Sequence, residues 1–381
     1  MQKEPTVKSL AVRNLLSFGD ELEPIELQNL NVLIGPNGSG KSNLIEVIAL
    51  LQGAPGGLAT VINNGGPIED WLWKGGSEAS PTASIEAVVN RGTGEAALRY
   101  RLAFARVDYR FLITDELVAK EFPLSDDERP YFRRGPMGLM GSGGPDRQSA
   151  ILAQRKGPDY PEITYLGKLF SKFFLYRSWE FGTLAGIREP CDAGLQNSFL
   201  EEDGSNLGVM LDRLLSLPRV KHELIESLRT FLDGTKDLRT SIVGSKVQTR
   251  LEESGLAATI PLNRVSDGTV RWLALLAILL NPDPPPLVCI EEPELGLHPD
   301  MVHEIGKLLI AASERMQLIV TTHSDALIEE FTEMPDAVVV CEKEAGASRF
   351  RRLDASQLSA WLKDYSLGQL WRKGQIGGNR W

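Results

Sequence analysis

The residues best suited to chemistry begin at Gly35, where the sequence reads Gly-Pro-Asn-Gly-Ser-Gly-Lys-Ser. Glycines at this spacing let successive backbone N–H groups turn around a polyphosphate. Lys41 can reach the terminal phosphates, and the Ser42 hydroxyl can bind Mg²⁺. The predicted nucleotide-binding residues are Gly35, Pro36, Asn37, Gly38, Ser39, Gly40, Lys41, Ser42 and Asn43.

The residues around this loop have the patterns of the elements that a phosphate-binding loop needs. Leu30 to Ile34 is an apolar run typical of a strand, and residues 43–52 have a helical pattern. The start of such a helix adds the positive end of its dipole to the site. The structural alternative, a glycine turn that caps a helix, explains neither Lys41 nor the preceding strand. We therefore predict a strand, a phosphate loop and a helix in this order.

Two carboxylates follow a second apolar run, Leu287 to Ile290. A continuous apolar run is typical of a central parallel strand that is covered on both faces. Glu291 at its end is placed to bind Mg²⁺ together with Ser42. Because Pro293 disfavours helix before it, we expect an extended Glu292 that positions or deprotonates the attacking water. The alternative is a pair of surface carboxylates at a strand end.

His323 ends a third apolar run, Gln317 to Thr322, which follows a predicted helix from Pro299 to Met316. Strand, helix and strand in this order predict a parallel crossover unit. Ligands in such sheets bind at the carboxyl ends of the strands. We therefore predict that His323 bonds to the γ-phosphate, whereas a lone histidine after a strand is more commonly structural.

The sequence Ser266-Asp267-Gly268 stands directly before an apolar helix, Val270 to Leu280. A helix start with a preceding serine is a second candidate site for an anion. The sequence indicates no cluster of metal-binding histidines, since His298 and His303 lack carboxylate–histidine metal spacing.

Together these residues resemble a known family. The loop at 35–42, Ser266-Asp267-Gly268, the run from Ile290 to Pro299 and Thr321-Thr322-His323-Ser324 are similar to the motifs of ABC-type ATPase heads. The chain most resembles the group of RecF, SMC (structural maintenance of chromosomes) and overcoming-lysogenization-defect ATPases, and among them bacterial AAA ATPases of the AbiEii-toxin type. Arg188-Glu-Pro and a tail from Ser366 to Gly378 also resemble this family.

The resemblance implies ATP and Mg²⁺ as cofactors and ATP hydrolysis as the reaction. It implies a homodimer in which two heads enclose two ATP molecules. Ser266, Asp267 and Gly268 of one copy would then contact the γ-phosphate held by the other. Residues 295–299 resemble the loop that links the two sites. A coupling glutamine is not assigned, with Gln154 and Gln196 as candidates.

The predicted fold class is α/β: an ATPase head with a parallel or mixed sheet, an antiparallel β lobe and a helical lobe. We expect one composite domain over 1–381. Its parts are an N-terminal lobe (1–165), a helical spacer (166–260), a C-terminal lobe (261–345) and a tail (346–381). Strand patterns between residues 82 and 121 predict the antiparallel sheet. No sustained heptads occur between 165 and 260, so no long coiled coil is expected.

Composition limits the classes of partner. The 381 residues carry a net charge of −10, which disfavours general nucleic-acid binding. A local basic excess between Arg99 and Lys156 leaves a nucleic-acid contact open, although a solvated sheet edge is the simpler interpretation. The three cysteines are too few for a disulfide framework. We find no signal region and no apolar run long enough for a bilayer, and expect a cytoplasmic protein without a membrane partner.

The sequence leaves three functions open. The first is an ATP-dependent switch in DNA maintenance, DNA repair or phage defence, with a separately encoded nuclease or toxin as partner. The second is a transporter ATPase subunit, which the long interval between Lys41 and Ser266 disfavours. The third is an ATP-gated nuclease, for which Glu342 at the end of an apolar run is the candidate acid.

Overall fold

A computed structural model describes residues 4–21, 23–75, 82–92, 94–122, 129–135, 146–177, 179–182 and 185–378. The strands are β1 (Val7–Arg13), β2 (Pro24–Glu26), β3 (Leu30–Ile34), β4 (Ala83–Val89), β5 (Leu98–Val107), β6 (Arg110–Lys120), β7 (Phe132–Arg134), β8 (Phe173–Tyr176), β9 (Cys191–Asp192), β10 (Thr235–Val243), β11 (Lys246–Glu253), β12 (Ile260–Pro261), β13 (Leu287–Glu291), β14 (Gln317–Thr321), β15 (Val338–Glu344) and β16 (Ala347–Arg352).

The helices are α1 (Lys41–Gly53), α2 (Leu58–Asn64), α3 (Ile68–Trp71), α4 (Ile151–Gln154), α5 (Pro161–Phe170), α6 (Leu207–Leu215), α7 (Pro218–Phe231), α8 (Asp267–Leu279), α9 (Val302–Ser313), α10 (Asp325–Glu329), α11 (Ala355–Leu358) and α12 (Leu367–Arg372). The predicted α/β class is confirmed. In the described ranges the longest helix, α7, has 14 residues, so this part of the chain contains no long coiled coil. None of the described helices is long and apolar enough to cross a bilayer.

The chain divides into two compact units. The first comprises Met1–Phe173, Met334–Asp364 and Leu370–Trp381, and the second comprises Phe174–Glu333 and Tyr365–Gln369. The end of the predicted C-terminal lobe, from residue 334 onward, therefore belongs to the first unit. The single composite domain stays a prediction.

The first unit contains an antiparallel sheet with the order β2-β1-β4-β5-β6-β7. Its residues alternate between buried and half-buried positions along β4, as expected for a sheet with one covered face. The three arginines of β5 are paired with acids: Arg99 with Glu86, Arg101 with Asp115 and Arg106 with Glu69. Glu86 and Glu69 lie outside residues 99–156, so these two pairs offset part of the local basic excess. The sequence of residues 133–147 is rich in glycine and predicts a surface loop, of which residues 136–145 lie outside the described residues.

A second group of strands in the first unit positions the phosphate loop. β3 pairs in parallel with β15, and β15 forms a hairpin with β16. Every residue of β3 is buried, and α1 buries its apolar side chains, including Leu44, Ile45 and Ile48. The residues between β3 and α1 are therefore held at the carboxyl end of a buried strand, as predicted.

In the second unit, β13 and β14 pair in parallel, with Glu291 opposite Thr321. α9 connects them, which confirms the predicted strand–helix–strand unit, and β8 lies next to β13. α8 buries apolar side chains around most of its circumference. The other sheet of this unit contains the β10–β11 hairpin. The sequence of residues 240–262 predicts a hairpin there, and in the structure this hairpin begins earlier, at Thr235.

Candidate functional site

The backbone of the phosphate loop is made possible by glycine. Gly35, Gly38 and Gly40 have φ values of +149°, +77° and +106°, which side-chain-bearing residues rarely adopt. A Cβ atom on Gly35 would lie 2.1 Å from the Cys341 carbonyl oxygen, and one on Gly40 would lie 2.1 Å from Ser348 Oγ. Both glycines are therefore required by conformation and by space.

Hydroxyl groups support the loop. Ser348 Oγ donates to the Ser39 carbonyl oxygen at 2.7 Å and lies 2.6 Å from Ser17 Oγ. Asn43 Nδ2 donates to Ser17 Oγ at 2.7 Å. The sequence motif contains Ser39 and Asn43, but it does not reveal Ser17 or Ser348. The sequence Ser17-Phe18-Gly19-Asp20 predicts a turn, whereas nothing local marks Ser348, which is more than 300 positions from Ser17.

Lys41 is the first residue of α1 and is 7% exposed. Its Nζ donates to the carbonyl oxygens of Gly35 at 2.8 Å and Pro36 at 3.0 Å. The ammonium group therefore lies over the loop that the motif predicts to surround phosphate. Ser42, the next residue, is exposed at the first turn of α1.

Residues Trp371 and Gly378 lie against β15, the strand beside β3, and against the first residue of this loop. Gly378 N–H donates to Glu342 Oε1 at 2.8 Å, and Trp371 Nε1 donates to the Gly378 carbonyl oxygen at 3.3 Å. A Cβ atom on Gly378 would lie 3.4 Å from Gly35 Cα. Glu342, the acid considered for a nuclease, thus anchors the tail beside the phosphate loop.

The second unit contains the acidic cluster. Glu291 is the last residue of β13, as predicted, but the expectation of an extended Glu292 is wrong. Glu292 has a φ of +46°, in the left-handed region. Its N–H donates to the Thr321 carbonyl oxygen at 3.0 Å. In the turn that follows, Leu295 N–H donates to the Glu292 carbonyl oxygen. These tertiary and turn hydrogen bonds override the local preference of a residue before proline.

His323 lies beside two acids of this cluster, Glu292 and Glu294. His323 Nε2 is 3.9 Å from Glu292 Oε1. Glu294 Oε1 accepts a hydrogen bond from the Thr322 hydroxyl and one from His323 N–H at 3.4 Å. Burial raises the pKa of Glu294 above its ordinary value, against the lowering effect of these donors. Glu294 thus connects the turn after β13 to the turn after β14, a role that sequence reasoning did not assign.

Glu291 has the chemistry of a magnesium ligand. Its Oε1 atom is buried and accepts no hydrogen bond from the described residues, and Arg177 Nε lies 3.7 Å away. Carboxylate and hydroxyl oxygens are ligands that Mg²⁺ prefers, so Glu291 in the second unit and Ser42 in the first each have suitable donor chemistry, and a shared ion stays a prediction. Arg177, which directly follows β8, was not identified from the sequence.

The predicted trans-contacting sequence Ser266-Asp267-Gly268, called the signature below, forms the start of α8. Ser266 is the N-cap, and its Oγ accepts a hydrogen bond from Thr269 N–H at 3.1 Å. Asp267 pairs with Arg188. A Cβ atom on Gly268 would lie 3.5 Å from the Gly296 carbonyl oxygen. The structure thus places the signature next to the 295–299 loop.

The two candidate coupling glutamines bond within their own loops. Gln154 Nε2 donates to the carbonyl oxygens of Asp146 and Ser149 at 2.8 and 2.6 Å. Gln196 Nε2 donates to Glu201 Oε1 at 2.8 Å. A coupling role for either glutamine stays a hypothesis.

Comparison with known families accounts for this set of motifs. The family described as "AAA domain, putative AbiEii toxin, Type IV TA system" matches residues 30–138 and 154–329. The matched ranges include the phosphate loop, the signature, both carboxylates and His323. The chain belongs to this family. The predicted resemblance to AAA ATPases of the AbiEii-toxin type is confirmed.

Smc proteins are the curated relatives that share sequence with this chain. The chromosome partition proteins Smc of Mycolicibacterium paratuberculosis and Desulfitobacterium hafniense are 30% and 33% identical over 92 and 98 residues. These segments span 24% and 25% of this chain but only 7% and 8% of those relatives.

Solved Smc heads share the fold. An Smc head bound to the C-winged helix domain of ScpA has a TM-score of 0.60 and 15% identity, covering 93% of this chain and 99% of that one. The Smc head of Pyrococcus furiosus, with an extended coiled coil and bound to the C-terminal domain of ScpA, has a TM-score of 0.59 and 14% identity, with coverage of 94% and 99%.

Proposed function

We propose that this chain binds MgATP on residues 35–43 and hydrolyses it. Ser42 and Glu291 supply oxygen ligands to Mg²⁺, which neutralises charge on the phosphates. Glu292 positions or deprotonates the attacking water, and His323 bonds to the γ-phosphate. The observation that supports this assignment best is the conformation of Glu292. A glutamate held at φ +46° beside a histidine carries backbone strain, and such strain concentrates at functional sites.

We further propose that ATP binding closes a homodimer, head to head, around two nucleotides, and that hydrolysis reopens it. Ser266, Asp267 and Gly268 of one copy then contact the γ-phosphate held by the other. The Ser266 cap at the start of α8, next to the 295–299 loop, supports this arrangement. A group supplied in trans to a transferring phosphate changes the rate by ~10³–10⁵ in related chemistry.

The test is the Glu292→Gln variant. It keeps the shape of the side chain but removes the basic carboxylate, so we expect ATP to remain bound and the dimer to accumulate. Size-exclusion chromatography with light scattering measures the dimer, and phosphate release measures hydrolysis. If the variant remains monomeric at saturating ATP, the head-to-head model is wrong.

Two control variants accompany it. Lys41→Ala removes the ammonium group over the phosphate loop, so it should bind little ATP and stay monomeric. Glu314→Gln neutralises an exposed carboxylate after α9 and should behave like the unchanged protein. Wild-type hydrolysis by Lys41→Ala would refute the assignment of the phosphate loop.

We propose that this switch acts in the cytoplasm, in DNA maintenance, DNA repair or phage defence, and that it controls a separately encoded nuclease or toxin. The family description, which names a toxin–antitoxin system, supports a defence role. The Smc heads solved with ScpA domains support the docking of a protein partner on this fold. Co-purification of the Glu292→Gln dimer with the products of adjacent genes tests this. Partners that bind Lys41→Ala equally well would argue against control by ATP.

A further inference from the structure

Arg188 is a buried cation whose three side-chain nitrogens all donate hydrogen bonds. Its side chain is 1% exposed, at the end of a 3₁₀ turn, Gly186–Arg188. Nε donates to the Phe181 carbonyl oxygen at 2.6 Å, and Nη1 donates to the Val265 carbonyl oxygen at 2.7 Å. Nη2 donates to the Asp267 carboxylate. The guanidinium therefore holds the residues that lead into α8.

The partner of Arg188 is much more exposed than Arg188 itself. The Asp267 side chain is 66% exposed, so one end of the pair is buried and the other faces solvent. Asp267 is also the first residue of α8, between the Ser266 cap and Gly268. A carboxylate at a helix start is favourable for the helix, but its charge repels any anion that approaches the same N–H groups.

We propose that Arg188 is a positioning residue that cancels the charge of Asp267, so that the start of α8 can receive the triphosphate bound by a second copy. This inference rests on the proposed head-to-head dimer. Arg188 touches no phosphate. It fixes the backbone at Val265, the residue before Ser266, through a hydrogen bond to the Val265 carbonyl oxygen. Its positive charge offsets the negative charge of Asp267. The ligand class is the polyphosphate of a nucleoside triphosphate.

The test measures the ATP concentration at half-maximal dimer formation, by light scattering, for a parent, two single variants and their double variant. All four proteins carry Glu292→Gln, so that hydrolysis does not disturb the equilibrium. Arg188→Met leaves Asp267 uncompensated and should raise that concentration about tenfold or more, which corresponds to about 1.4 kcal/mol. Asp267→Asn leaves a net positive signature and should lower it. The double variant Arg188→Met/Asp267→Asn restores neutrality and should return it close to the parent value.

A purely structural role of Arg188 predicts a different order. In that case Asp267→Asn would not rescue Arg188→Met, because the backbone hydrogen bonds of Arg188 are lost in both proteins. Salt gives a second readout. The defect of Arg188→Met should shrink between about 0.05 and 0.5 M NaCl, since screening weakens repulsion between exposed charges. A matched control is Arg213→Met, which breaks the Arg213–Asp283 pair at 2.7 Å and should leave the half-maximal concentration unchanged.

The outcomes separate this inference from the proposed function. If the parent with Glu292→Gln does not dimerise with ATP, the head-to-head model fails and this inference fails with it. If the parent dimerises but the four proteins do not follow the charge order, only the role of Arg188 is refuted. If thermal melting shows that Arg188→Met does not fold, the half-maximal ATP concentration of Asp267→Asn alone tests the proposal. A half-maximal ATP concentration equal to or above that of the parent then overturns the proposal.

Discussion

Replacing Glu292 by glycine should stabilise the protein while it abolishes hydrolysis. Glutamate at φ +46° costs on the order of 1–2 kcal/mol relative to ordinary backbone. Glycine removes that cost but adds on the order of 0.5–1 kcal/mol of chain entropy. The Glu292 side chain is 40% exposed, so its 3.9 Å contact with His323 contributes about 0–1 kcal/mol. The N–H bond to the Thr321 carbonyl oxygen remains available to glycine. We expect a net gain of up to about 1.5 kcal/mol, reached when the strain is largest and the other two contributions are smallest.

Urea unfolding followed by circular dichroism measures the stability, and phosphate release measures activity. Glu292→Gln is the matched comparison, because it loses the carboxylate but keeps the strain, and it should show no gain. Ala345→Gly is the second comparison. Ala345 has a φ of +48° in the β15–β16 turn, so this variant should gain stability and keep its activity. If Glu292→Gly is less stable than Glu292→Gln, the conformation of Glu292 is not strained and the reasoning fails.

Three further outcomes are expected. Gly40→Ala places a methyl group where the structure has the Ser348 hydroxyl, so it should weaken binding of a fluorescent ATP analogue by about tenfold or more. In the matched variant Gly38→Ala no atom of the described residues lies within 4 Å of the new methyl group, so the loss of affinity should be smaller. Burial raises the pKa of Glu294, so its folded form binds the proton more tightly than the unfolded chain. Its contribution to stability is therefore full below the ordinary glutamate pKa and is lost as pH rises, and urea midpoints of Glu294→Gln should lack this decline. Burial also raises the thiol pKa of Cys289 and Cys341, so mass spectrometry should show that iodoacetamide modifies both only after unfolding.

The parallel strands and the phosphate loop were predictable because their signals are local. Continuous apolar runs marked β3, β13 and β14, and proline and glycine marked the turns between elements. The sequence signals of the short helices α2 and α3, within residues 53–80, were weaker, because a helix of one or two turns has too few residues to show a period.

The parts that sequence reasoning missed depend on contacts between distant residues. Arg188 stood out as a motif residue, yet its partner Asp267 lies 79 positions later, and no periodic pattern connects the two. Ser348 and Ser17 are 331 positions apart. The conformation of Glu292 was predicted wrongly for the same reason, because the backbone of Thr321 on the neighbouring strand decides it.

The contact of Gly378 with β15 and with the phosphate loop has a consequence for synthesis. Gly35 is made early, whereas Glu342, which accepts from Gly378 N–H, and Trp371, which donates to the Gly378 carbonyl oxygen, follow more than 300 positions later. At about 5–20 residues per second, the ribosome needs roughly 20–70 seconds to add the residues between Gly35 and Gly378. A nascent chain therefore carries its phosphate loop without this support throughout that interval, and nucleotide binding should mature only after Gly378 has been added.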